Sequence, residues 1–247
     1  MIGMMIMPRF FVDKPVVDFF EITGEDAGHI MKSLRMKRDE MLILCRDKMD
    51  YHCKITNFDK NSVQVKLVKT QKCESEPQLK VTLFQGIPKG DKMDLIVQKA
   101  VEVGVTAVVP VFTSRCVSRP DGKSLEKKIQ RWQKIALEAA KQSGRGCIPQ
   151  IFPALSFKDA VVFAKNCDEI ILFYENNGQV LTDILKSKSS QSVSVFVGPE
   201  GGFEAFEVEE VTKLGGKICS LGKRILRTET AAIVSVALTI YESEREK

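Results

Sequence analysis

The stretch "LGKRILRTETAAIVSVAL", residues 221–238, changes character halfway along. Its first half carries Lys223, Arg224 and Arg227, then Thr228, Glu229 and Thr230; from Ala231 onward it is small and branched apolar residues. A helix that is apolar on most faces is buried against more than one surface. Either Thr228 or Thr230 is placed to cap it, because a hydroxyl satisfies the unpaired N–H groups of a first helical turn. The preceding "KICSLG" (217–222) has strand character, so the segment reads as strand, polar loop and buried helix. The helix is covered either by its own domain or by a second subunit, the two readings that its periodicity allows.

The same alternation runs back through the chain. "KVTLFQGI" (80–87), "AVVPVF" (107–112), "CIPQIF" (147–152), "EIILFY" (169–174) and "SVSVFVG" (192–198) are apolar, strand-length runs separated by helical patterns. Near-continuous apolar strands between helices predict an α/β domain with a mostly parallel sheet covered on both faces. Met93, Ile96, Val97 and Ala100 keep helical spacing before Gly104. Ser124 is placed to cap a second helix with Leu125, Ile129, Trp132, Ala136 and Ala139 on its apolar face; Trp132 reads as a core anchor.

Ahead of a polar segment at 69–78, "RFFV" (9–12), "EMLILC" (40–45), "YHCKITNF" (51–58) and "SVQVKLV" (62–68) predict a small antiparallel barrel or curled sheet, with a helix over about 24–34 following Thr23. The chain therefore divides into a β-rich domain, residues 1–72, and an α/β domain, residues 73–247.

Composition narrows the function. The chain has 247 residues, 44% apolar and 28% charged, which excludes disorder as its main state. No apolar run reaches membrane-spanning length, and "MIGMMIM" lacks the basic flank of a signal peptide, so a cytoplasmic protein is expected. Seven scattered cysteines without a C-x-x-C pair read as reduced core residues. Two histidines, His29 and His52, stand outside any ligand spacing, so no metal site is expected. Residues 113–147 carry 9 Lys or Arg against 3 Asp or Glu, whereas residues 1–79 carry 13 against 12. A local cationic surplus of this kind is either a solvated helix face or a surface for phosphates.

Two common nucleotide motifs are missing. "FQGIPKGDKMD" (84–94) is not G-x-G-x-x-G, and Gly216 stands one residue too far from Gly222-Lys223 for a P-loop. Glycines gather instead in "VFVGPEGGFEAFEVEEV" (195–211), where Glu200 sits among Gly198, Pro199, Gly201 and Gly202. Such a loop is either a strand-to-helix turn or a place where backbone approaches a ligand.

Six ordered segments together carry a resemblance: "PRFF" (8–11), "HIMKSLRMKRDE" (29–40), "KGDKMDLIVQKAVEVGV" (89–105), "RWQKIALEAAKQSGR" (131–145), "GPEGGF" (198–203) and "LGKRILRTETA" (221–231). The chain resembles the small-subunit ribosomal RNA methyltransferases that methylate uridine N3 in 16S rRNA, within the SPOUT superfamily. The resemblance implies an N-terminal PUA-like RNA-binding β-barrel, a deep trefoil-knotted methyltransferase domain and a homodimer. It also implies an effective start near Met7, with "MIGMMI" an extension or a start-site choice.

The implied cofactor is S-adenosyl-L-methionine, held by three loops: "LFYENN" (172–177), "VGPEGG" and "SLGKRILRTETA". Its binding residues would be Leu172, Phe173, Gly198, Glu200, Gly201, Gly202, Leu221, Gly222, Ile225, Leu226, Thr230 and Ala231. Arg227, then Arg224, would stabilise charge on the base, with Glu200 or Glu229 as proton acceptor or as orienting group. The implied partner is 16S rRNA in the 30S particle. Its phosphates would meet Arg9, Lys32, Arg35, Lys37, Lys89, Arg115, Arg119, Arg131, Lys134 and Arg145. Two positions depart from the family pattern: Glu204 stands where a small hydroxyl is usual, and Ser114 where an acidic residue precedes Arg115. Other readings are a SPOUT enzyme acting on ribose 2′-OH or another RNA base, and a module that only binds RNA.

Overall fold

The structure is a computed structural model that describes residues 7–175, 178–185 and 190–245. One compact unit ends at Glu76 and includes Ala140–Cys147; the other comprises Pro77–Ala139 and the chain from Ile148 onward. The break thus follows Glu76 rather than residue 72.

The first unit contains β1 (Arg9–Phe11), β2 (Phe19–Thr23), α1 (Gly24–Gly28), β3 (Met41–Arg46), β4 (Met49–Phe58) and β5 (Ser62–Lys72). Its sheet has the order β1-β3-β4-β5-β2. β1 runs parallel to β3, which corrects the all-antiparallel expectation. β2, which the apolar pattern did not reveal, is an edge strand with Phe19 63% exposed. β5 extends to Lys72 through polar residues that pair with Met49–His52 of β4, so the first four residues of the expected linker are strand. Asp47 and Lys48 turn β3 into β4, both with positive φ (51° and 62°). A two-residue hairpin turn of this kind needs φ above zero at both positions. α1 continues into a π-turn closed by the Leu34 N–H donating to the His29 carbonyl at 2.9 Å. Phe10, Ile22, Ile30, Leu42, Leu44, Ile55 and Val65 form the core.

Beside this core lies a buried ionic network. The Arg145 side chain is 2% exposed and donates through Nε (2.8 Å) and Nη2 (3.0 Å) to Glu76. Glu76 also accepts the Gly146 N–H at 2.8 Å and the Cys147 thiol at 3.1 Å. Arg9 is bidentate to Asp50, at 2.6 and 2.9 Å, with the two side chains 8% and 6% exposed. Arg9 and Arg145 therefore leave the set of expected phosphate contacts: each guanidinium is out of solvent and already satisfied by a carboxylate.

The second unit carries β6 (Lys80–Gly86), α2 (Lys92–Glu102), β7 (Ala107–Phe112), α3 (Gly122–Gln142), β8 (Gln150–Ile151), β9 (Leu155–Ser156), α4 (Phe157–Ala164), β10 (Glu169–Phe173), α5 (Leu181–Ile184), β11 (Ser192–Val197), α6 (Ala205–Lys213), β12 (Lys217–Cys219) and α7 (Thr228–Glu244). The last residues of α3, from Ala140, group with the first unit. The sheet order is β12-β10-β11-β6-β7-β8, with β9 also on β7, and every pairing is parallel.

Alternation along the strands sends Phe84, Val109, Leu172 and Phe196 to one face, where α4 and α6 supply Phe157, Ala160, Val161 and Val211. Phe84 and Phe196, partners in register, stack with centroids 4.5 Å apart. α7 packs against α2, β6 and β11. Its N-cap is Arg227, without a side-chain cap bond; Thr228 is already helical and Thr230 is exposed. No helix among the described residues is long and apolar enough to cross a membrane.

Burial pushes the Glu76 carboxyl up, but Arg145, Cys147 and the Gly146 N–H outweigh it and hold it at about 2. A carboxyl depressed in the folded state stabilises above its unfolded value and loses that contribution as pH falls through its folded value. Glu76→Gln removes the carboxylate charge from this buried pair with Arg145, and a loss of about 3 kcal/mol at pH 7 is expected from denaturant unfolding. The gap between the two proteins should close as pH falls from about 4.5 to about 2. A gap that is small at pH 7 or independent of pH would contradict this ion-pair account.

Candidate functional site

Three loops leave neighbouring parallel strands at their carboxyl ends. The residues after β10 begin at Tyr174, those after β11 at Gly198 and those after β12 at Ser220. Together with the start of α7 they enclose a cavity of about 450 Å³, a size that suits a small-molecule ligand.

The cavity gathers most of the expected residues. Phe173, Gly198, Glu200, Gly201, Gly202, Leu221, Gly222, Ile225, Leu226 and Ala231 line it, as do Arg224 and Arg227. Leu172 instead lies fully buried in β10, Thr230 is exposed on α7, and Glu229 stands behind the lining. Asn176 and Asn177 of the first loop, like "MIGMMI" at the start of the chain, lie outside the described residues. Lys92, Tyr174, Glu175, Val197, Pro199, Phe203 and Thr228, none of them named from the sequence as a site residue, also line the cavity.

The loop after β11 and the start of α7 are held to the end of β6 by a buried hydrogen-bond cluster that local pattern could not reveal. Gln85, the penultimate residue of β6, is 0% exposed. Its Nε2 donates to the carbonyls of Gly86 (2.9 Å) and Gly198 (3.3 Å) and to Thr228 Oγ1 (3.0 Å). The Thr228 hydroxyl in turn donates to the Gly198 carbonyl at 2.7 Å. One strand end, one glycine loop and one helix start thus share a single polar centre inside an apolar core. Gly86 is needed beside it: a Cβ there would lie 2.5 Å from Pro199 Cδ and 2.7 Å from Pro199 N.

Charged groups brace the glycine loop from outside. Arg115 donates to Glu204 at 2.8 and 3.2 Å and to the Gly201 carbonyl at 2.7 Å. The buried Glu207 accepts the Ser114 N–H (2.9 Å) and hydroxyl (3.1 Å) and the Glu204 N–H (2.8 Å). Glu204 and Ser114, the two departures noted in the sequence, thus belong to one bracing network. Lys92 Nζ lies 2.7 Å from Glu200 Oε1, and the Lys89 N–H donates to the same carboxylate at 3.2 and 3.3 Å. Burial pushes the Glu200 carboxyl up, while Lys92 and the backbone N–H bonds hold it below its ordinary range. Burial raises the Cys219 thiol to about 11, so it stays protonated as a core residue.

The expected phosphate contacts separate by environment. Lys32, Arg35 and Lys37 are exposed in the first unit; Lys89, Arg119 and Lys134 are exposed in the second. Arg119 donates to the Thr113 carbonyl at 2.8 Å, and Arg131 is paired with Asp94, which also accepts the Trp132 indole N–H at 3.1 Å. Trp132 itself is 3% exposed, the core anchor its spacing predicts. Among the described residues no group of three or more His, Cys, Asp or Glu side chains is arranged to hold a metal ion.

Comparison with known proteins gives consistent matches along the chain. Residues 74–240 match the RNA methyltransferase domain and residues 22–68 the RNA methyltransferase PUA domain. The ribosomal RNA small subunit methyltransferase E of Bacillus subtilis is 35% identical, over 96% of this chain and 98% of that protein. That of Mesomycoplasma hyopneumoniae is 36% identical, over 92% and 96%. The crystal structure of the Neisseria gonorrhoeae ribosomal RNA small subunit methyltransferase E bound to S-adenosyl methionine superposes with a TM-score of 0.83, at 31% identity, over 94% of this chain and 96% of that one. With identity of this level sustained through both domains, the chain belongs to the ribosomal RNA small subunit methyltransferase E family.

Proposed function

We propose that the protein transfers a methyl group from S-adenosylmethionine to N3 of a uridine in 16S rRNA. The observation that carries this reading is the cavity at the carboxyl ends of β10, β11 and β12, lined by the glycine loop and "LGKRILRTETA" in a chain of this family. The residues present fit the donor: Phe173, Val197, Leu221 and Leu226 give apolar surface, the glycines expose backbone groups, and Glu175 and Glu200 add acidic groups to the lining. When bound, the donor supplies a methyl group made electrophilic by its sulfonium.

The protein's own residues supply position and charge. Arg227 and Arg224 are exposed cations on the cavity wall, suited to the uracil oxygens that gain negative charge as N3 loses its proton. Glu200, tied to Lys92 and the Lys89 N–H, acts as an orienting group. Glu229 stands outside the cavity lining, with Oε2 3.6 Å from Lys92 Nζ, and is likewise an orienting group. Lys32, Arg35, Lys37, Lys89, Arg119 and Lys134 are exposed cations for rRNA phosphates, and Arg115 serves the glycine loop. We place the enzyme in the cytoplasm, acting on the assembled 30S particle.

Two further features belong to the proposal. After β12 pairs at the sheet edge, the chain returns across the carboxyl ends of its neighbours to seat α7 against central strands β6 and β11, a path that supports a trefoil knot. Ile225 (89% exposed), Tyr241 (60%) and Leu238 (39%) offer apolar surface for a homodimer.

Unmodified 30S particles and naked 16S rRNA, incubated separately with enzyme and donor, should be analysed for modified nucleosides. 3-Methyluridine from the 30S particles is expected; a ribose methyl or another methylated base would overturn the assignment. Arg227→Ala should keep donor affinity and lower kcat by about 100-fold or more, and unchanged turnover would remove Arg227 from the mechanism. Sedimentation should give about twice the 27.7 kDa chain mass, whereas a monomer would refute the dimer.

A further inference from the structure

We propose that Lys92 is a positioning residue of the donor site, an ammonium that ties the glycine loop to the start of α7 and so holds the cavity in its binding shape. This inference rests on the donor site proposed above. Lys92 is the first residue of α2, where the helix dipole disfavours a positive charge and an acidic side chain would be better placed. Its location is explained by what it meets. Nζ is 2.7 Å from Glu200 Oε1 in the loop after β11 and 3.6 Å from Glu229 Oε2 in the first turn of α7.

Three segments distant in sequence converge on this one nitrogen. The turn before α2 adds a second tie to the same loop, since the Lys89 N–H also donates to Glu200. Glu200 is thereby held from both sides of the turn at Gly90, whose φ is +63°. Glu229 Oε2 is buried and has the Lys92 ammonium near it without a hydrogen bond. Without Lys92, the Glu200 and Glu229 carboxylates, which both lie close to its nitrogen, would have no cation between them, and like charges at close range repel. The loop and the helix start would then separate where both line the cavity.

The alternative is an ordinary surface ion pair, because the Lys92 side chain is 36% exposed and exposed pairs contribute little. The two accounts differ in what they do to ligand binding. Calorimetric titration of S-adenosylmethionine into full-length wild-type, Lys92→Met, Lys92→Arg and Lys92→Met/Glu200→Gln proteins separates them, with thermal melts and donor KM and kcat measured on the same preparations. Lys92→Met should raise donor Kd and KM in parallel by about tenfold, with a smaller fall in kcat. Lys92→Arg, which also reaches two carboxylates, should return Kd to within about threefold of wild type. The double variant should bind better than Lys92→Met, because one of the two opposed charges has gone. Kd unchanged in Lys92→Met, or a loss that arginine does not restore, would overturn the proposal. A wild-type chain that takes up no donor would overturn the proposed function itself and this inference with it.

Discussion

The buried contact between Thr228, Gly198 and Gln85 is the constraint on which the rest of the site depends. A hydroxyl and an amide NH2 group inside an apolar sheet must find acceptors, since each buried polar group left unpaired costs about 1–3 kcal/mol. Here they find one another only if the glycine loop, the end of β6 and the start of α7 come together. That requirement converts three sequence-distant segments into one wall. It also accounts for the small residues nearby, because Gly86 and Pro199 pack too closely for a Cβ between them.

The charged groups around this centre divide the remaining work. Arg115, Glu204, Glu207 and Ser114 fix the outer side of the glycine loop, while Lys92 and the Lys89 N–H fix Glu200. What is left on the cavity wall is Arg224 and Arg227, exposed and without an ion pair among the described residues. Cations held elsewhere shape the protein, and these two face the space where the proposed chemistry occurs.

The parallel sheet was legible in the sequence because its strands are buried on both faces and their apolar runs are nearly continuous. "AVVPVF" and the core of "SVSVFVG" became β7 and β11 with almost no change of boundary. β2 escaped because an apolar Phe19 on its exposed face masks the short alternation of Phe20, Glu21, Ile22 and Thr23. The loops of the site were legible through their glycines and through family resemblance, but their fastening was not. Gln85 and Lys92 look like ordinary polar residues in a strand and a helix; only long-range partners, at positions 198, 200, 228 and 229, give them a role. Arg9 and Arg145 show the opposite error: local cationic character resembled a phosphate surface, while their carboxylate partners lie 41 and 69 residues away in sequence.

The most direct test of this account is an experimental structure of the protein with S-adenosylmethionine bound. The account predicts the ligand in the cavity between Phe173, the glycine loop and residues 221–231, with the Thr228 hydroxyl still on the Gly198 carbonyl. A ligand bound elsewhere, or a site that forms only once that hydrogen bond has broken, would contradict it.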